Sequence, residues 1–486
     1  MNDGRVLVAG EIAVNSEAFE NLCELCDRFG SRFFATEEEK KAAEFLAYKF
    51  QQYGLENARA EPYSHWGWQD GKLTELWSWR RDTALLELLQ PEARPLHCIS
   101  LANAPSTEDT GVTAEIFNLQ SASRSYLLDH REEIKGKLVL SLDLRDPPNL
   151  YRPTVYGYLE EFGAAGYLWS NRNYGNLPKT GSARFGAIGE IPACAIARET
   201  YDFIRREMNK GKVTAKVKVK NTYAPGATSY NVIADLPGSK YPDEIVLVGG
   251  HYDGHDISVG ALDDAAGACV VLEAARALAK HAGKLKRTIR FCCFASEEMG
   301  LNGATGYVLN HANEVKNIQL MINTDTSGIS SKTGHGFVVW EPKELASYLD
   351  RVLDGLGSFD RNHELPSLKA INFDEGQSGW PFNRVPYSDQ WPFYMVGVPV
   401  AYFKDIPADP IDSLYSHTTA DTVDKVDPKG LKDAATILAL TLMRVSDEDE
   451  IPFKQIPIER VVKIMEEGGV AEDMRKEKRW RREARV

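Results

Sequence analysis

The stretch EIVLVGGHYDGHDISVGALDDAAGACVVLEAARALAKHAGKLKRTIRFCCFASEEMG, residues 244–300, decides the fold. EIVLVGG (244–250) is an unbroken apolar run, as expected of a strand buried on both faces. AAGACVVLEAARALAKHAG (265–283) reads as a helix, and TIRFCCF (288–294) returns to a strand. Working outward, NGATGYVLNHA reads as a helix, while IQLMIN (318–323) and VPVAYF (398–403) read as two more buried strands. PKGLKDAATILALTLMRV (428–445) closes the pattern as a helix. Such alternation predicts an α/β fold, a largely parallel sheet with helices on both faces.

Upstream, residues 16 to 54 read as helical, with Phe19, Leu22, Leu25 and Phe29 at helical spacing and Gly54 as a stop. From about residue 65 the texture changes to aromatics, prolines and short β-like runs such as KGKLVLSLDL (135–144) and GKVTAKVKVKN (211–221). A separate β-rich unit is expected, ending near Ala224-Pro225-Gly226. The expected division is 1–68 and 229–450 for the two parts of an α/β domain, with 69–228 as an insert. Residues 451–486 form a charged helical tail, whose end AEDMRKEKRWRREARV reads as a helix with a solvated face. Docking against a partner surface is the alternative for that tail.

Composition narrows the function. At 486 residues the chain is long enough for two domains, and 43% hydrophobic with 26% charged residues describes a soluble globular protein. No apolar stretch reaches the ~18 residues that a membrane span needs. A net charge of −13 argues against nucleic acid as a partner. The start, MNDGRVLVAGEIAVNSEAF, lacks a basic segment followed by a long apolar run, so a cytoplasmic location is expected. Seven cysteines do not make a disulfide scaffold. Cys23 and Cys26 form a lone CxxC that reads as one face of an amphipathic helix, and Cys292 and Cys293 read as core.

The chemistry lies where the strands end. His251 and Asp253 follow the first strand, Glu297 and Glu298 the second, and Asp325 the third. In open α/β sheets that edge collects ligands and catalytic groups. Imidazole with carboxylate, and no thiolate, suits catalytic zinc; acids alone would lean towards magnesium or calcium. Asp263 lies in GALDDAAG, a glycine-containing turn opening the helix, from which a carboxylate could bridge two ions. Glu297 and Glu298 are adjacent, so in extended backbone one reaches a metal while the other stays free as a general base. Asp253 is placed to orient His251 from behind. Singly, each has a bland reading: His251 and His417 as ordinary loop residues, the acids as caps or helix-terminal charges. His255 in HYDGHD reads as a cleft residue, together with Asp256, and not as a ligand.

Five segments, HYD (251–253), GALDDAAG (260–267), SEEMGLNG (296–303), INTDTSG (322–328) and SHTTADT (416–422), occur in an order that resembles the zinc aminopeptidase family, which includes bacterial leucyl aminopeptidases and the glutamate carboxypeptidases. The resemblance implies a three-layer α/β/α zinc-exopeptidase fold with a mixed, largely parallel sheet. It implies one zinc held by His251, Asp263 and Asp325, and another by Asp263, Glu298 and His417. Glu297 matches the general base, Asp253 the acid behind the first histidine, and Asp263–Asp264 a cis peptide. KGKLVLSLDL, EEFGAAGYLWSN and GEIPACAIARETYDFI resemble a protease-associated domain.

YSDQWPF (387–393) resembles a stretch lining the family's substrate pocket, which makes Ser388 and Asp389, with Tyr415, candidates for substrate binding. Gln390 and Ser416 depart from the family, standing where a histidine and a tyrosine are found in relatives. The implied activity is hydrolysis of peptide bonds near chain ends by a metal-bridged water, as aminopeptidase, dipeptidase or carboxypeptidase. Two zinc ions per chain (cobalt or manganese as substitutes), a peptide substrate and an open question of homodimerisation accompany it. The competing expectations are a receptor-like scaffold without catalysis and a single-zinc amidohydrolase resembling glutaminyl cyclases. GxSxG, HExxH and Walker A motifs are absent.

Overall fold

In the computed structural model, which describes residues 2–144, 148–283, 285–356, 371–372, 387–406 and 408–484, the apolar runs around His251 assemble into one sheet. Its strands are β1 (Glu56–Tyr63), β2 (Ser229–Leu236), β3 (Tyr241–His251), β4 (Arg287–Phe294), β5 (Ile318–Asn323), β6 (Gly334–Val339), β7 (Ile371–Asn372) and β8 (Val400–Ile406). They are ordered β1-β2-β4-β3-β5-β8-β6-β7. The four central strands, β4, β3, β5 and β8, run parallel; β2 is antiparallel to β4, and β6 to β8. The sheet is therefore mixed and largely parallel.

The unbroken apolar runs are explained by two cores. Val246 and Val248 of β3 face one layer, with the helices Ala18–Phe29, Glu37–Gln52, Ala266–His281 and Pro428–Ser446. Ile245 and Leu247 face the other, with Tyr307, Trp391, Phe393, Met465 and Met474. Successive side chains point to opposite faces, so a strand covered on both sides has no polar position to spare. The chain opens with a further helix, Asn2–Asn15, for which the sequence carries little signal. Val8 and Ile12 are its fully buried apolar residues, too short a stripe to stand out, and Glu11 ties it to Arg276 (2.7 Å) and Lys280 (2.9 Å).

A second eight-stranded sheet is built from strands between Trp77 and Pro225, with its own apolar clusters on either side. The chain leaves the first sheet at Tyr63 and rejoins it at Ser229, and these two residues are paired across β1 and β2. Residues 64–228 are thus inserted between neighbouring strand ends, where an insertion leaves the sheet's pairing intact. The C-terminal region corrects the expectation of a solvated helix. It forms two short helices, Ile458–Glu467 and Val470–Lys476, and then a turn-rich segment in which Glu477, Arg479 and Arg482 are at most 2% exposed. All seven cysteines are free; burial raises the Cys26 thiol to about 11, which suits a core side chain and not a redox pair.

One buried cation fastens the N-terminal segment to the sheet edge. Arg32 donates to the carbonyls of Tyr252 (2.6 Å) and Gly260 (3.0 Å), and also to those of Val259 and Gly30. It is fully buried, so its loss strands several buried acceptors at about 1–3 kcal/mol each. Arg32→Met is expected to lower unfolding free energy by about 3–5 kcal/mol. Chemical denaturation measures it, and a change within experimental error would remove Arg32 from this role.

Candidate active site

Three strand ends deliver most of the candidate side chains. β3 ends at His251, and Asp253 follows within two residues; β4 leads to Glu297 and Glu298; β5 leads to Asp325. Glu297 and Glu298 occupy a tight turn in which Gly300 N–H bonds the Glu297 carbonyl at 2.7 Å. Asp263 is delivered by the turn after Gly260, whose φ of 53° is left-handed and where an added Cβ would lie 2.8 Å from the Asp263 carbonyl. Glycine is the residue that tolerates both. The Asp263–Asp264 peptide is cis, and His417 follows the helix Pro410–Tyr415.

Asp263 occupies the centre. Its Oδ1 lies 3.2 Å from His251 Nε2 and its Oδ2 lies 2.9 Å from His417 Nε2. Asp325 Oδ1 is 4.0 Å from the same His251 nitrogen, and Glu298 Oε2 is 3.4 Å from the same His417 nitrogen. One carboxylate thus addresses two separate clusters, His251 with Asp325 and His417 with Glu298. Asp264 is also near the first cluster, but its Oδ1 accepts from Gly267 N–H (3.0 Å) and Thr326 N–H (2.9 Å). Its role is to hold the turn, whereas Asp263 faces the cavity.

Asp253 organises the surroundings from behind. Its Oδ1 is 3.4 Å from His251 Nδ1 and accepts from Glu297 N–H at 3.1 Å, and its backbone carbonyl lies 3.1 Å from the same ring nitrogen. That leaves His251 Nε2 directed at the carboxylates. Ser388 bonds Asp325, and Asn323 reaches both Ser388 (2.6 Å) and Gln390 (2.9 Å). The second sheet's unit contributes as well. The Thr180 carbonyl faces His417 Nδ1 at 3.2 Å, and Thr180 N–H bonds the His417 carbonyl at 2.8 Å.

Electrostatics make this cluster costly without a cation. Burial, then the charges of neighbouring carboxylates, push Glu297 and Asp325 above the usual range, and raise Glu298 to about 8. Asp263 goes the other way, because the imidazoles of His251 and His417 beside it outweigh its burial. Buried carboxylates this close either bind protons or have positive charge among them. The donor set, two imidazole nitrogens with carboxylate oxygens and no thiolate, fits a zinc-like ion. The buried His251 Nε2 makes no hydrogen bond among the described residues, as a nitrogen reserved for a metal would not.

A cavity of about 510 Å³ opens beside this cluster, lined by Asp263, Glu297, Glu298, Asp325 and His417. Ser388 lines it too, but Asp389 and Tyr415 do not. Asp389 is fully buried behind the wall, and Tyr415 ends a helix with its ring beneath Lys425 Nζ at 5.3 Å. Gln390 and Ser416, the two departures from the family pattern, do face the cavity. His255 is buried behind Glu298, its Nε2 2.9 Å from Glu298 Oε2, and burial drives it down to about 3. Sequence alone sets His255 apart from the ligands, yet in space His255, Glu298 and His417 form one close group. Asp256 turns away to Arg81 at 2.8 Å.

A family model described as peptidase family M28 matches residues 231–442, the part of the chain that supplies the clustered histidines and carboxylates. Over these residues the chain is similar to peptidase family M28. Carboxypeptidase Q of Homo sapiens is 26% identical over 451 residues, covering 90% of this chain and 86% of that protein. The M28 fold is repeated in the crystal structure of a peptidase M28 precursor from Shewanella amazonensis SB2B. It has a TM-score of 0.74 at 24% identity, covering 94% of this chain and 99% of that one. BSAP, a zinc aminopeptidase from Bacillus subtilis, gives a TM-score of 0.64 at 22% identity, covering 90% and 97%. Sequence similarity extends beyond the M28 segment, so the relatives share more than the metal-facing half.

Because the carboxylates repel one another, a divalent cation should stabilise the fold. At a free ion concentration a thousandfold above Kd, the gain is about 4 kcal/mol over the chelated protein. Thermal unfolding with and without chelator, then with zinc added back, measures this. An unchanged midpoint in all three would contradict a cation-binding cluster.

Proposed function

We propose that this chain is a di-zinc exopeptidase hydrolysing peptide bonds near chain ends. The observation that carries the reading is Asp263, whose two oxygens face two different histidines beside a cavity into which Glu297 opens. His251 and Asp325 with Asp263 would hold one ion, and His417 and Glu298 with Asp263 the other. Two zinc ions bound there would supply Lewis acidity, polarising the scissile carbonyl and making water easier to deprotonate.

The chain's own residues do the rest. Glu297 lines the cavity and is no part of either ligand set, so it is available to take a proton from the attacking water. It then returns that proton to the departing amine, which conserves charge over the cycle. Burial supports this role, because it raises the carboxyl's affinity for a proton. Asp253 positions the base through the Glu297 N–H and fixes His251 in one orientation. The cavity is also lined by Arg152, Arg172 and Lys179 and by Asp409 and Asp412, so a free carboxylate and a free amine each have opposite charge to meet. Relatives named for aminopeptidase and for carboxypeptidase activity accord with an exopeptidase without choosing the end.

Glu297→Gln is expected to retain both metals and lower kcat by about 10²–10⁴-fold, the usual contribution of a general base. An active variant would remove Glu297 from that role. His417→Ala should reduce bound zinc from two ions to about one, while His255→Ala leaves it near two. A wild-type stoichiometry of one would favour the single-zinc reading instead. Unblocked dipeptides should be cleaved, and blocking one terminus identifies the end recognised; no turnover on any of them with zinc present would overturn the proposal.

A further inference from the structure

A strongly charged segment at the end of the chain is buried against the cavity wall. After the helix Val470–Lys476 the chain makes turns with left-handed backbone at Lys478 and Arg481, and packs Glu477, Arg479 and Arg482 inward. Glu477 accepts from Tyr387 Oη at 3.2 Å and from the Thr154 hydroxyl, and its other oxygen pairs with Arg479. The Arg479 guanidinium lies 5.0 Å from the Phe185 ring centroid and 5.1 Å from that of Tyr387. Phe185 and Tyr387 both line the cavity, with centroids 5.8 Å apart, and the Tyr151 ring packs against Tyr387 at 4.0 Å. Those three rings form an apolar wall assembled from the inserted unit and the M28 part, and Arg479 is the brace behind it.

Arg482 acts on the neighbouring turn. Its guanidinium donates to the Gly300 carbonyl and to Thr305 Oγ1 (3.3 Å), and Trp68 N–H bonds its backbone carbonyl at 2.6 Å. Gly300 closes the turn that carries Glu297 and Glu298. The body makes room for this segment with glycines. A Cβ on Gly67 would lie 2.6 Å from the Arg482 carbonyl, and one on Gly186 would lie 3.0 Å from Arg482 Nη1. On Gly157 it would collide with the Lys476 carbonyl. Gly67 and Gly157 thus let the body approach the backbone of this segment and of the helix end before it.

We infer that Glu477, Arg479 and Arg482 are positioning residues for the substrate cavity, holding the Tyr151–Phe185–Tyr387 wall so that it receives an apolar or aromatic side chain of the peptide. The inference rests on the exopeptidase reading for its substrate. It adds that affinity for bulky side chains is set from the C-terminus. Cation–π contacts behind an aromatic ring restrict its tilt, and a ring held still loses less freedom when a substrate packs on it.

The test uses the full chain loaded with zinc. Arg479→Met should raise KM about tenfold for Phe-Ala and Ala-Phe, but less than twofold for Ala-Ala, with kcat within about threefold. Lys478→Ala, which removes only the exposed pair with Glu190, should leave KM for all three peptides as in the wild type. Hydrogen exchange should quicken in Arg479→Met at residues 387–395, and in Arg482→Met at residues 297–305, with the strands of the first sheet unaffected. A folded Arg479→Met with wild-type KM for the Phe peptides, or an equal rise for all three, overturns the inference. So does exchange that quickens uniformly. Where Arg479→Met does not fold, Tyr387→Phe, which loses only the bond to Glu477, should raise the Phe-peptide KM about threefold, and an unchanged value is equally adverse. If the wild type cleaves none of the three, the exopeptidase reading fails, and the exchange pattern alone decides whether the strap holds the wall.

Discussion

The arrangement depends on one carboxylate addressing two imidazoles. Asp263 is held below the ordinary carboxylate range because His251 and His417 lie within 3.2 Å of its two oxygens. Its neighbours Glu297, Glu298 and Asp325 are all pushed upward by burial and mutual repulsion. A cluster with this imbalance is not a source of stability in itself; buried charges are tolerated when an ion or a counter-charge completes them. The fold has accepted an unfavourable local arrangement, and what surrounds the cluster is best understood as the means of holding it.

That holding is distributed over parts of the chain that carry no ligand. Arg32, from the N-terminal helical region, clamps the backbone on both sides of the loop between His251 and Asp263. Thr180, from the inserted unit, bonds His417 at ring and backbone together. Arg81 from the same unit pairs with Asp256, and a further bond runs from Arg81 to Thr180 at 3.0 Å. The insert is therefore coupled to the loops that carry His417 and Asp256 by directional bonds and not merely carried by the sheet. Such partners fix ligand orientation, and loss of one typically costs a site about 10–100-fold in affinity or activity.

The strands and the turns that carry the clustered acids are legible in the sequence because their signals are local: an apolar run, a glycine-bearing turn, an acid one or two residues past a strand end. Their convergence follows from a general property of parallel sheets. Arg32, Thr180 and Arg81 carry no such mark. Each acts on a partner at least 175 residues away, and an arginine that bonds carbonyls looks in sequence like any surface arginine. Asp389 and Tyr415 show the opposite failure. They adjoin residues that do face the cavity, but Asp389 caps a short buried helix, and Tyr415 ends another with its ring against Lys425.

The C-terminal segment shows why charge in a sequence is an incomplete guide to exposure. A run such as RKEKRWRREARV, taken alone, is solvated, since burying a lone arginine or glutamate costs several kcal/mol. The cost changes when the residues satisfy one another. Glu477 and Arg479 pair, Arg479 lies against two aromatic faces, and Arg482 finds a carbonyl and a hydroxyl. Replacing such a set with apolar side chains is often neutral or stabilising, so stability does not explain it. What an apolar set could not provide is direction. A guanidinium bonded to the Gly300 carbonyl sets the turn beside Glu297 in one position, and a carboxylate bonded to the Tyr387 hydroxyl does the same for the wall facing it.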